Sequence, residues 1–148
     1  AAEGFMTRID FYLLTSDSPA LRLDYACRLA HKAWSKGHRV YLNCSDEEQL
    51  NAVDGLLWSF RAEAFLPHGL SADDPDEAVV CGTGEPPTTH NDLLINLADS
   101  TADAFSRFSR MAEIVVEHDP VRLPARERFR FYRERGYPLQ THNIRTAG

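Results

Sequence analysis

One phenylalanine and four arginines in the last quarter of the chain have the spacing of a recognition surface. At about 100° per residue, Arg122, Arg126, Phe129 and Arg133 fall within about 60° of one another on a helix, with Arg130 flanking them. Guanidinium groups hold a carboxylate through paired hydrogen bonds, and an aromatic ring beside them packs an apolar side chain. These residue types therefore suit a ligand that ends in a carboxylate and a hydrophobic group. They would equally suit a solvated basic helix face with Phe129 turned into the core. Ala125 and Tyr132 lie on a different face and read as packing residues.

A second cluster runs Leu56-Leu57-Trp58-Ser59-Phe60 and resumes at Phe65-Leu66-Pro67-His68, with more bulky apolar residues than one buried helical stripe needs. Trp58 and Phe65 either close the edge of the core or anchor a hydrophobic partner. Enzymatic chemistry finds no comparable support. The turn after the first apolar run, Thr15-Ser16-Asp17-Ser18-Pro19, has no glycine to let a phosphate approach the backbone. Gly82-Thr83-Gly84 runs into two prolines rather than a helix, and reads as a flexible turn. No Walker lysine, G-x-S-x-G elbow or H-E-x-x-H pair occurs, and Cys27, Cys44 and Cys81 show no C-x-x-C spacing. Neither a cofactor nor a metal site is expected.

The charge of the chain is unevenly placed. Its 148 residues carry a formal −6, which argues against coating nucleic acid by bulk charge. From Pro120 onward, however, seven arginines face two acids, so that segment is +5 and the first 119 residues are −11. Such an asymmetry speaks of partners rather than of fold. The scattered cysteines read as reduced, partly buried thiols of a cytoplasmic protein. No apolar run approaches the roughly 20 residues that span a bilayer, and no secretory signal is legible. Residues 1–5 read as an expression-tag remnant before Met6, and residues 6–148 as a single domain.

The elements that must position these residues follow from pattern and punctuation. Residues 8–14 read as a strand, Ser18-Pro19 opens a helix that Gly37 stops, and residues 38–44 form a second strand. Ser45-x-x-Glu48 resembles a capping box for a second helix with Leu50, Val53 and Leu57 inside. Short strands are expected at 65–68, 78–81 and 92–97, a helix at 101–111 and a strand at 114–116. Pro124 is expected to open a last helix, ended at Arg135 by Gly136. The β-α-β-α opening with short connections predicts an open, mostly parallel α/β sheet with helices on both faces, Rossmann-like but without a phosphate-binding loop.

Several segments together resemble a known family. Phe11 to Leu14 (F-Y-L-L), residues 54–68 (D-G-L-L-W-S-F-R-A-E-A-F-L-P-H), D-L-L-I-N-L and residues 125–137 (A-R-E-R-F-R-F-Y-R-E-R-G-Y) are similar, in order and spacing, to the chi subunits of the bacterial DNA polymerase III holoenzyme. The resemblance implies a non-catalytic accessory protein of the clamp loader with a nucleotide-binding-like fold. It implies two partners, the psi subunit and the acidic C-terminal tail of the single-stranded-DNA-binding protein, which ends in phenylalanine. DNA would then be reached only indirectly. Arg122, Arg126, Phe129 and Arg130 match the tail-binding positions, with Val115 as an apolar neighbour; Trp58, Phe65, Leu66 and Pro67 match the psi-facing region. The family often has tyrosine at the position of Phe129 and lysine at those of Arg122 and Arg130. A direct single-stranded nucleic-acid module using the arginine helix is the alternative, and a nucleotide-using enzyme a third reading.

Overall fold

The computed structural model describes residues 6–59 and 67–146. The first strand, β1 (Arg8–Leu14), is apolar toward both faces, as a strand covered on both sides must be: Ile9, Phe11 and Leu14 are all buried. Ser18 caps α1 (Pro19–Ser35), its Oγ accepting from the Leu21 N–H at 3.3 Å. Gly37 follows at φ +89°, a conformation that a side chain would strain. Then come β2 (Val40–Asn43), α2 (Glu47–Ser59), β3 (His68–Leu70), β4 (Val79–Gly82), β5 (Leu93–Asn96), β6 (Arg110–Val115), α3 (Asp119–Glu134) and β7 (Leu139–Ile144).

The strands form one open sheet in the order β3-β4-β2-β5-β6-β1-β7, and every pairing is parallel. One face packs Leu14, Val40, Leu42, Ile95 and Ile114 against Ala26, Cys27 and Ala30 of α1 and Leu50, Val53 and Leu57 of α2. The other packs Phe11, Tyr41, Leu94, Met111 and Val115 against Ala125 and Tyr132 of α3. The expected architecture, α/β with helices on both faces and no glycine-rich turn after β1, is the one observed. Cys27, Cys44 and Cys81 are buried and free, and burial pushes the thiols of Cys27 and Cys81 up to about 12. Among the described residues no helix is long and apolar enough to cross a membrane.

This topology creates a particular crevice. β1 passes into α1 on one face, whereas its neighbour β6 passes into α3 on the other. Where adjacent parallel strands send their chains to opposite faces, the connections diverge and leave a cleft at the carboxyl ends.

Several expectations need correction. The helix expected at 101–111 is a 3-10 turn, Phe105–Arg107, leading directly into β6. Phe105 and Phe108 are both buried, and Thr7 donates to their carbonyls at 3.2 and 2.6 Å, so tertiary anchoring fixes the turn before a helix can propagate. The α2 cap lies one residue later than Ser45-x-x-Glu48. Gln49 N–H donates to Asp46 Oδ1 at 2.8 Å, while Gln49 Oε1 accepts from Ser45 N–H at 2.7 Å. α3 begins at Asp119 with Pro120 in its first turn, so Pro124 is inside the helix rather than at its start. Its missing N–H leaves the Pro120 carbonyl without the usual intrahelical donor. β7 answers to no expected element.

Candidate functional site

Besides the apolar packing of Ala125 and Tyr132, a buried polar network holds α3 to the sheet. Glu113 on β6 is fully buried and receives Arg128 through two parallel hydrogen bonds, Nε to Oε2 and Nη2 to Oε1, both 2.9 Å. Tyr132 donates its hydroxyl to Glu113 Oε2 at 2.7 Å, Asn96 Nδ2 donates to the same oxygen at 3.2 Å, and Arg128 Nη1 reaches the Asp99 carbonyl at 2.7 Å. The network continues across the sheet as Asn43 donates to Asn96 Oδ1 at 3.0 Å. Burial opposes the charge on Arg128, but the Glu113 carboxylate more than offsets this and raises the guanidinium pKa. Burial also pushes the Tyr132 hydroxyl strongly upward, so it remains a donor.

With Ala125, Arg128 and Tyr132 facing inward, the helix rotation is set, and Arg122, Arg126 and Phe129 border a groove at the crevice between β1 and β6. Its volume is about 420 Å³. Phe11, Leu13 and Val115 make an apolar floor, Thr141 and Asn143 of β7 form the far side, and Glu117 adds one acid at the rim. Phe129 is half-buried, its ring edge-to-face with Phe11 at a centroid distance of 5.1 Å. The Arg133 guanidinium lies 5.8 Å from the Phe129 ring centre.

The groove's cations differ in what they already bind. Arg126 is exposed and forms no ion pair among the described residues. Arg122 pairs with Asp119 through one terminal nitrogen, while its Nε is buried with no hydrogen-bond partner among the described residues. A buried donor without an acceptor is costly, and a ligand oxygen would satisfy it. Arg130 lies outside the groove lining, pairs with Glu127 at 3.2 Å and is largely exposed. The structure thus brings Arg122, Arg126, Phe129 and Val115 together and sets Arg130 to one side.

Phe11, Leu13, Thr141 and Asn143 were not legible as site residues. F-Y-L-L signals a buried strand, and only the pairing of β1 with both β6 and β7 places Phe11 opposite Glu113 on one side and Thr141 on the other. A polar run, L-Q-T-H-N-I, gives little strand signal of its own. It is held instead by main-chain pairing and by His142, whose Nε2 lies 2.9 Å from Asp10 Oδ1.

The second cluster lies at the C-terminal end of α2. Trp58 is 66% exposed, its ring edge-to-face with His68 at 4.6 Å. Pro67 is half-buried, and Phe65 and Leu66 fall outside the described residues. Among the described residues, no group of three or more His, Cys, Asp or Glu is arranged to hold a metal ion.

A family model described as DNA polymerase III chi subunit, HolC, matches residues 6–140. The chain belongs to this chi family. Its relatives include the DNA polymerase III subunit chi of Pseudomonas aeruginosa, 55% identical over 139 residues that cover 94% of this chain and 98% of that one. The subunit chi of Escherichia coli is 33% identical over 143 residues, covering 92% and 97%, and that of Haemophilus influenzae 31% over 137, covering 90% and 95%. The resemblance read from the sequence motifs is therefore to the right family. The chi match spans the elements that build the groove through the start of β7.

Proposed function

We propose that this chain is a non-catalytic, cytoplasmic accessory subunit of replicative DNA polymerase III, acting within the clamp loader as a single domain. It grips the acidic C-terminal tail of single-stranded-DNA-binding protein in the α3 groove, and docks the psi subunit through the Trp58 surface. DNA is thereby reached one protein removed. The observation carrying this reading is the groove itself: an apolar floor beside a guanidinium on Arg126 and a buried Nε on Arg122 that are both unpaired among the described residues. A C-terminal phenylalanine presents the complementary groups, a ring for the floor and a carboxylate for the guanidiniums.

Direct nucleic-acid binding by the same helix has less support. Arg122 and Arg130 are drawn to Asp119 and Glu127, and Arg128 is committed to Glu113. Among the described residues the exposed large hydrophobic side chains are Met6, Trp58 and Leu123, which do not make a row of aromatic platforms for bases.

The test is calorimetric titration of the acidic tail peptide with and without its terminal phenylalanine. Loss of the ring should lower affinity by about tenfold or more, the effect of burying one aromatic side chain. Equal affinity of the two peptides refutes the groove assignment. For the other surface, Trp58→Ala should abolish most co-purification with psi, since an exposed tryptophan at an interface is commonly worth about 2 kcal/mol or more. Tail affinity should be unchanged. If tail binding fell along with psi binding in a normally folded variant, the two surfaces would not be separate.

A further inference from the structure

The far side of the groove is an open sheet edge. β7 is the terminal strand, bonded to β1 on one side, and among the described residues nothing pairs with its other side. The ladder fixes which main-chain groups are free. Ile9 N–H donates to the Pro138 carbonyl at 2.9 Å and Thr15 N–H to the Ile144 carbonyl at 3.0 Å, so even-numbered residues of this run direct their main-chain groups toward β1. Successive residues of a strand alternate, and the N–H and C=O of Thr141 and Asn143 therefore point outward. The side chains of these same two residues line the groove.

An edge of this kind is usually blunted. Proteins shorten it, place charge or proline on it, or cover it, because free main-chain groups recruit other strands. The opposite edge, β3, is three residues long. β7 has six residues, Leu139–Ile144, with no proline, lysine or acid. A long edge without lysine, proline or acid beside a ligand groove suits an extended peptide that leaves the groove along it. Recognition by strand addition takes affinity from main-chain bonds and specificity from pockets for alternate side chains.

We propose that the acidic peptide seated in the α3 groove adds to the β7 edge as an eighth strand, accepting main-chain hydrogen bonds from the N–H groups of Thr141 and Asn143. This rests on the tail-binding reading above and specifies how the residues upstream of the terminal phenylalanine are held. Charge favours this occupant. Arg126 and Arg133 stand on the α3 side and exposed Arg145 follows the strand, so carboxylates on the added strand meet cations. A second copy pairing at the same edge would bring two arginine-bearing groove walls toward each other.

Main-chain pairing has a periodic signature. Single N-methylation along the peptide upstream of its last residue should weaken binding about tenfold at alternate positions and leave the intervening ones near the unmodified affinity. In amide hydrogen exchange followed by NMR, the Thr141 and Asn143 amides should slow at least about tenfold on saturation with peptide, while His142, already bonded to β1, stays unchanged. Thr141→Pro, which removes an N–H the fold does not use, should weaken binding without lowering the melting temperature by more than a few degrees. Binding that persists with no change at the Thr141 and Asn143 amides and no alternation among N-methylated peptides overturns strand addition and leaves the groove reading standing. A peptide that does not bind at all overturns both. Protection of the two amides in the free protein, with a dimeric mass in solution, assigns the edge to a second copy and also overturns the proposal.

Discussion

Replacing Arg128 by alanine should lower the stability of the protein by about 3–5 kcal/mol, the usual result of stripping one partner from a buried ion pair. Glu113 is fully buried, and the substitution leaves its carboxylate with the Tyr132 hydroxyl and the Asn96 amide as donors. The Asp99 carbonyl loses its guanidinium as well. For a chain of this length the melting temperature should fall on the order of 10 °C. Arg128→Lys should recover only part of the loss, because an ammonium cannot make two parallel bonds to one carboxylate. In a double-mutant cycle, Glu113→Leu combined with Arg128→Met should cost clearly less than the two single changes added together, since neither charge is then stranded. Urea denaturation of the four proteins measures this. An Arg128→Ala variant within about 1 kcal/mol of the parent would mean that apolar contacts such as Tyr132 and Ala125 hold α3 instead.

The same pair marks where sequence reading stops. Arg128 stands among seven arginines in the segment from Pro120 onward; helical spacing puts it with Ala125 and Tyr132, about 160° from Arg126 and Arg130, but does not say what would compensate a guanidinium buried there. Its burial depends on a glutamate fifteen residues earlier that sits on an interior strand, where burial on both faces would lead one to expect apolar side chains throughout. The +5 surplus of the segment is accordingly less exposed than the count implies. The parallel sheet, by contrast, was legible because strands such as V-Y-L-N and L-L-I-N are buried on both faces, and V-Y-L-N stands between the well-marked ends of α1 and α2. The angular cluster of Arg122, Arg126 and Phe129 was legible because helical geometry is local. Its floor was not, because Phe11 and Thr141 are 130 positions apart and meet only through strand pairing. Arg126 and Arg130, about 40° apart on the helical wheel, diverge further for an equally local reason: Glu127 lies three residues before Arg130 and pairs with it.

That divergence ranks the groove side chains by their expected effect on tail binding. Phe129→Ala removes the ring that packs on Phe11, and should reduce peptide affinity about 10- to 100-fold, the range for losing one aromatic wall of a small site. Arg126→Ala should cost a similar factor, since a charge-assisted hydrogen bond to a carboxylate contributes about 1.5–3 kcal/mol. Salt separates the two. The Phe129→Ala protein keeps its guanidiniums, so its residual binding should weaken with ionic strength as steeply as the parent's; the Arg126→Ala protein should show a visibly shallower dependence. Arg130→Ala should change affinity by less than about threefold, because an exposed residue already paired with Glu127 adds little at this distance. Phe129→Tyr should bind nearly as the parent does, as it retains the ring. Calorimetry at two salt concentrations supplies every comparison, with thermal melts to verify that each variant is folded. Unchanged affinity in both Phe129→Ala and Arg126→Ala would remove the groove from consideration as the tail site. A loss in Arg130→Ala as large as in Arg126→Ala would instead move the carboxylate out of the groove and onto the outer face of α3, where the pairing with Glu127 would have to break before the ligand could bind.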